Sequence, residues 1–106
     1  MQFKFFQSLG DPIRLELVQR LASGIPYTIT TLSEGFNITR QGVRKHLQIL
    51  VDSNIITLEK NGRDTTVRLN RESLEQGKVF IMKLENRWDE HLEALRRGYF
   101  LRFHKK

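Results

Sequence analysis

The sequence predicts a mainly α domain carrying one small β-hairpin, and three observations predict it. Apolar residues recur at helical spacing in four short stretches and again in one long C-terminal stretch. Between them, Ile56 and Leu58 alternate with Thr57 and Glu59, and Val67 and Leu69 alternate with Thr66 and Arg68, as half-buried strands require. The chain has 106 residues, enough for one domain with a modest core and too few for two. The expected order is therefore α-α-α-α-β-β-α over residues 1–106.

The first helix, about residues 1–9, crowds Phe3, Phe5, Phe6 and Leu9 and is expected to be buried against something. Gly10-Asp11-Pro12 punctuates. Asp11 is placed to accept from the free N–H groups of the next helix, whose first position suits Pro12. That second helix is expected to be apolar on a broad face of Ile13, Leu17 and Leu21 with Leu15 and Val18, and it ends at Ser23-Gly24-Ile25-Pro26. A short third helix is expected from Thr30 or Thr31 to Gly35, with Ile29, Leu32 and Phe36 inward, and Asn37 takes the left-handed turn position. Thr39 caps the fourth helix, and Ile38 and Val43 are spaced as a hydrophobic staple. Gly42 costs that helix about 1 kcal/mol relative to Ala, which close approach of the preceding helix would offset. Two short helices joined this way form a helix-turn-helix.

The stretch Thr39-Arg40-Gln41-Gly42-Val43-Arg44-Lys45-His46-Leu47 carries the most chemistry. At about 100° per residue, Val43, Leu47, Leu50 and Val51 share one stripe, while Gln41, Arg44, Lys45 and Gln48 cluster opposite, with Arg40 at the start. Arg and Gln present paired hydrogen-bonding groups that match guanine and adenine edges in the DNA major groove. A solvated basic face on an ordinary amphipathic helix is the plain alternative. The hairpin that follows, joined by Lys60-Asn61-Gly62-Arg63-Asp64, turns the pair into a winged helix-turn-helix. Its tip carries Lys60 and Arg63, where a wing would touch phosphate or the minor groove.

The last helix is expected to run from about 71 to 103. Leu74, Ile81, Leu84, Trp88, Leu92, Leu95 and Tyr99 form an apolar stripe too long for the small core to cover. It is expected to pack partly on the N-terminal phenylalanines and partly on a second copy of the chain, against the alternative of folding wholly on its own domain.

Composition narrows the function. Eighteen Lys and Arg against twelve Asp and Glu give a formal charge of +6, which favours a polyanionic partner. The absence of cysteine excludes disulfides and thiolate metal sites. The longest apolar run, Val79 to Met82, is too short for a bilayer, and the N-terminus lacks the apolar core of a signal peptide. A cytoplasmic protein with no membrane partner is expected. No Cys nucleophile or glycine-rich phosphate loop is present, and no serine can be placed beside a His and a carboxylate, so no enzyme and no cofactor are expected.

Four stretches in order resemble the ArsR family of small winged-helix bacterial repressors. They are Leu9-Gly10-Asp11-Pro12-Ile13-Arg14, the fourth helix just quoted, Asn61-Gly62-Arg63, and Trp88-Asp89-Glu90-His91-Leu92-Glu93-Ala94-Leu95. The resemblance spans nearly the whole chain. It implies a homodimer joined through the first and last helices, with Phe3, Phe5, Phe6, Ile81, Leu84, Trp88, Leu92, Leu95 and Tyr99 at the interface. It also implies operator DNA as ligand, read by Gln41, Arg44 and Arg40, with Gln48 on the same face. Thr39, Lys45 and His46 would touch phosphates, and Arg63 with Lys60 would serve the wing.

Departures concern the signal sensed. Relatives with a Cys metal site carry it on the third helix, where this chain has Thr31-Leu32-Ser33-Glu34-Gly35-Phe36. Asp89-x-His91 matches half of a second family metal site, but position 102 is Arg and His104 is offset. Two of four ligands do not make a tetrahedral site, so no metal is expected and the effector is unknown. His46 is open between a phosphate contact and packing on the neighbouring helix. Two alternatives to the repressor remain at this level. One is a winged-helix protein-interaction module whose last helix docks a partner; the other is a metal- or redox-responsive repressor.

Overall fold

The computed structural model describes residues 2–99, without the side chains of Gln2, Phe3 and Tyr99. In chain order it has α1 (Gln2–Leu9), α2 (Pro12–Leu21), β1 (Tyr27–Thr28), α3 (Ile29–Leu32), α4 (Arg40–Asp52), β2 (Ile56–Asn61), β3 (Asp64–Leu69) and α5 (Arg71–Ala94), followed by a π-helical turn over Leu95–Tyr99. The expected roles of the Phe3 and Tyr99 side chains, and the expected helix over residues 100–103, lie outside the described residues.

Local chemistry sets most boundaries. Asp11 Oδ2 accepts from the N–H groups of Ile13 at 2.9 Å and Arg14 at 3.1 Å, and Pro12 opens α2, which has no use for its missing donor. Thr39 Oγ1 accepts from Gly42 N at 3.0 Å and caps α4. Asn70 caps α5 by accepting from Glu72 and Ser73.

Five details depart from the sequence expectation. First, Tyr27–Thr28 is extended and pairs antiparallel with Val67 and Thr66, which makes a three-stranded sheet of order β1-β3-β2. The third helix therefore starts earlier, with Thr28 as its cap in a reciprocal exchange with Thr31. Second, the left-handed residue of the connection to α4 is Gly35, at φ 87°, rather than Asn37. Third, the neighbour of Gly42 is not the preceding helix. A Cβ there would meet Thr39 Oγ1 at 3.3 Å and Ile38 Cδ1 at 3.5 Å, so a small residue leaves room for the cap itself. Fourth, the strands extend to Asn61 and from Asp64, so the hairpin turns on Gly62-Arg63 alone. Gly62 has φ 62° and Arg63 does not, the pattern of a II′ turn. Fifth, the last helix does not continue unbroken, because Gly98 at φ 103° interrupts the helical path.

The core gathers Leu17, Leu32, Val43, Leu47, Leu50, Ile55, Ile56 and Val67 from α2, α3, α4 and the sheet. Asn54 at φ 62° reverses the chain after α4 and sends Ile55 and Ile56 into this core. A second seam joins α1 to α5. There Gly77 is buried, and a Cβ on it would fall 2.6 Å from Phe5 Cε2. The Phe5 ring thus lies on the bare backbone of α5 inside its own protomer, not free for a partner copy as expected. Phe6 is half-buried between the rings of Phe5 and Phe80, with centroids 5.0 and 5.4 Å away.

Beyond Phe80, α5 leaves the domain. Residues 81–91 are exposed at every position, and the chain extends over 68 × 26 × 22 Å. Leu92 and Leu95 are half-buried beside the π-helical turn.

Candidate nucleic-acid interface

Helix α4 divides sharply by environment. Val43 and Leu50 are fully buried and Leu47 nearly so, whereas Arg40, Gln41, Arg44, Lys45 and Gln48 are all exposed. The helical period puts the last four on one face, with Arg40 one turn before Arg44. Gln48 Nε2 donates to Asp52 Oδ1 at 2.9 Å, which steadies its amide along the helix. At the wing, Lys60 and Arg63 are exposed, with Lys60 paired across the ladder to Thr65. Among the described residues no salt bridge engages Arg40, Arg44, Lys45, Lys60 or Arg63.

His46 is set apart from that group. Its side chain turns toward the start of α2, with Nδ1 3.0 Å from Arg14 Nη1 and 3.8 Å from Asp11 Oδ2. Arg14 only donates, so Nδ1 accepts and the ring proton sits on Nε2. Packing on the neighbouring helix, one of the two readings the sequence left open for His46, thus accounts for its position. Arg14 Nε also donates to Ser8 O at 2.6 Å, so one guanidinium ties the end of α1 to α4. Burial pushes the Asp11 carboxyl up. Hydrogen bonds from the Arg14 and Ile13 N–H groups, the charge His46 carries when protonated and the Arg14 charge outweigh it, leaving the carboxyl below its ordinary value.

Two positioning residues escape sequence reading. Arg20 Nη1 donates to Leu32 O at 3.1 Å and Glu34 O at 2.6 Å, its guanidinium stacks 4.2 Å over the Phe36 ring, and Nε reaches Glu16 at 3.3 Å. It thereby clamps the chain between α3 and α4. Ser53 donates to Ile49 O at 2.8 Å and meets Ser8 across the seam, locking the end of α4 to α1. Both act over long sequence separations, and no periodic signal reports them.

Away from this surface, α5 exposes Ile81, Leu84 and Trp88 at 47, 50 and 59%, together with Val79 and Met82, which the expected interface did not include. Among the described residues no group of three His, Cys, Asp or Glu side chains is placed to hold a metal ion, and no helix is long and apolar enough to cross a membrane.

The order of elements and the sheet that closes it define a winged helix-turn-helix protein. A helix-turn-helix domain model matches residues 9–59. The arsenical resistance operon repressor of Bacillus subtilis is 35% identical over 69 residues, and the match covers 65% of this chain and 66% of that protein. The repressor of the same name from Staphylococcus xylosus is 34% identical over 63% of this chain and 64% of its own length. The chain thus spans just under two thirds of both relatives. The transcriptional repressor SdpR of Bacillus subtilis is 26% identical over 82% of this chain and 96% of its own. Among solved structures, an ArsR family transcriptional regulator superposes with TM-score 0.75 at 29% identity, over 83% of this chain and 91% of that one. An ArsR-like regulator from Rhodococcus sp. RHA1 shares the fold with TM-score 0.78 at 23% identity, over 91% and 90% of the two chains. In sequence and in fold the chain is thus similar to ArsR-family winged helix-turn-helix transcriptional regulators.

Proposed function

We propose that this chain is a cytoplasmic homodimeric repressor that binds an inverted-repeat operator in double-stranded DNA. One observation carries the reading: α4 buries Val43, Leu47 and Leu50 while leaving Arg40, Gln41, Arg44, Lys45 and Gln48 exposed and the three cations without ion-pair partners among the described residues. In this reading Gln41 and Arg44 read base edges with Arg40 beside them, and Gln48 extends the same row. Lys45 and the Thr39 hydroxyl, which keeps its own hydrogen after accepting from Gly42, meet phosphates. Lys60 and Arg63 hold the flanking backbone from the wing. His46 acts through its seat on Arg14 rather than by reaching out.

Dimerisation joins the exposed Ile81, Leu84 and Trp88 of two copies, with Phe6 and α1 at the border. Twofold pairing sets two α4 helices about 34–36 Å apart, one duplex turn, and so requires a palindromic site. Occupying such a site in a promoter excludes polymerase. Selection of bound genomic fragments should return an inverted repeat. On that site Arg44→Ala should cost about 1–3 kcal/mol and relax preference at one base pair, read by fluorescence anisotropy on matched and mismatched duplexes. Equal affinity of wild type and variant for every duplex would remove Arg44 from the readout.

A further inference from the structure

A pocket of about 340 Å³ lies where α1, the start of α2 and the end of α4 meet. Its size is at the small end of ligand sites, and polar and apolar groups share its walls. Lys4 and Arg14 supply positive charge from α1 and α2, Asp52 supplies negative charge from α4, and Gln7, Ser8 and Ser53 supply neutral hydrogen-bonding groups. The capacity of these groups is only partly used. Among the described residues no hydrogen bond engages Arg14 Nη2. Ser53 spends its hydrogen on Ile49 O, so Ser8 donates to Ser53 and keeps lone pairs on its own Oγ. Fixed charges of both signs, two serines and a single aliphatic side chain, Ile49, suit one kind of occupant.

We propose that this pocket binds a small zwitterion of the amino-acid class, with its carboxylate on Arg14 and Lys4 and its ammonium on Asp52 and Ser8 Oγ. The regulatory consequence rests on the repressor reading above; the binding itself does not. A carboxylate is a stronger acceptor for a guanidinium than a neutral imidazole nitrogen. Occupancy therefore draws Arg14 away from His46 Nδ1, the contact that seats the middle of α4 against α2. The ligand thus binds more tightly to the DNA-free protein, and by linkage it weakens operator binding.

The test uses the full chain, labelled with nitrogen-15 and titrated without DNA against each of the twenty proteinogenic amino acids. Acetate and ethylammonium serve as single-charge controls. At least one amino acid should move the Ser8, Asp52 and Ser53 amide signals saturably, while neither control saturates. Lys4→Gln and Asp52→Asn, both at exposed positions, should each weaken that binding about tenfold or more. The same amino acid should then lower operator affinity about tenfold. If none of the twenty moves these signals, or the two variants bind as wild type does, the site is overturned. Inorganic phosphate moving the same signals saturably, while no amino acid does, would overturn it in favour of a simple anion site. An amino acid that binds as described by a protein that retains no DNA would keep the site and defeat the repressor reading instead.

Discussion

The two ends of this molecule are built on opposite terms. From α2 to β3, each apolar position of the buried set finds its partners within the chain, and Leu17, Leu32, Val43, Leu50 and Ile55 are fully buried. From Ile81 to His91, α5 is exposed throughout, although Ile81, Leu84 and Trp88 recur on it at intervals of three and four. The first region is complete as a protomer. The second has the pattern of a core without the other half. A helix that kept such a stripe in water would forgo roughly 1.5–3 kcal/mol for each large apolar side chain left uncovered. The comparison therefore separates what folds the protein from what the proposed pairing would cover.

The contrast is broken most directly by truncating the self-contained side. Leu47→Ala empties a site only 2% exposed on the inner face of α4 and should lower unfolding free energy by about 2–5 kcal/mol in urea titrations. Trp88→Ala tests the other side. It should shift the chain to monomers in sedimentation velocity, a loss of about 2 kcal/mol or more in association, while the unfolding of the monomer moves by no more than about 0.5 kcal/mol. Monomer stability falling as far as in Leu47→Ala would mean that Trp88 serves the protomer's own core.

Gly77→Ala probes the seam between the two regions. The new methyl would collide with the Phe5 ring, an overpacking cost of about 1–3 kcal/mol, against about 1 kcal/mol gained in helix propensity. A net loss of about 1 kcal/mol is expected by thermal unfolding, with α1 released first. The smallest effect is the acid limb. The Asp11 carboxyl has a folded value below its ordinary 3.8, so its stabilisation is complete above that value and is lost as pH falls through the folded one. Asp11→Asn keeps a capable cap without the titration and should flatten the stability profile below about pH 4, measured by urea midpoints.

Legibility in the sequence follows the range of the interaction. Asp11, Pro12 and Thr39 act within three residues of themselves, and their caps were readable in advance. The split between Val43, Leu47, Leu50 and Arg40, Gln41, Arg44 was readable because the helical period forces it. What stayed hidden is set by distant partners. Tyr27–Thr28 is a strand only because β3 offers it an edge some forty residues on. Arg20 clamps carbonyls twelve and fourteen residues away, and Phe5 meets Gly77 across the fold. The turn read at Asn37 is made at Gly35 instead, where the Arg20 guanidinium packs against it from fifteen residues away.

The shortest element has the widest mechanical effect. Because β1 runs directly into α3 while its other side is laced to β3, the hairpin and the two helices cannot slide past one another. The reach from the Arg63 loop to the Arg44 face is therefore a fixed ruler, not a hinged arm. In the proposed DNA complex, a target lengthened by a single base pair between the Arg44 and Arg63 contacts would be rejected by geometry, however well each half matched.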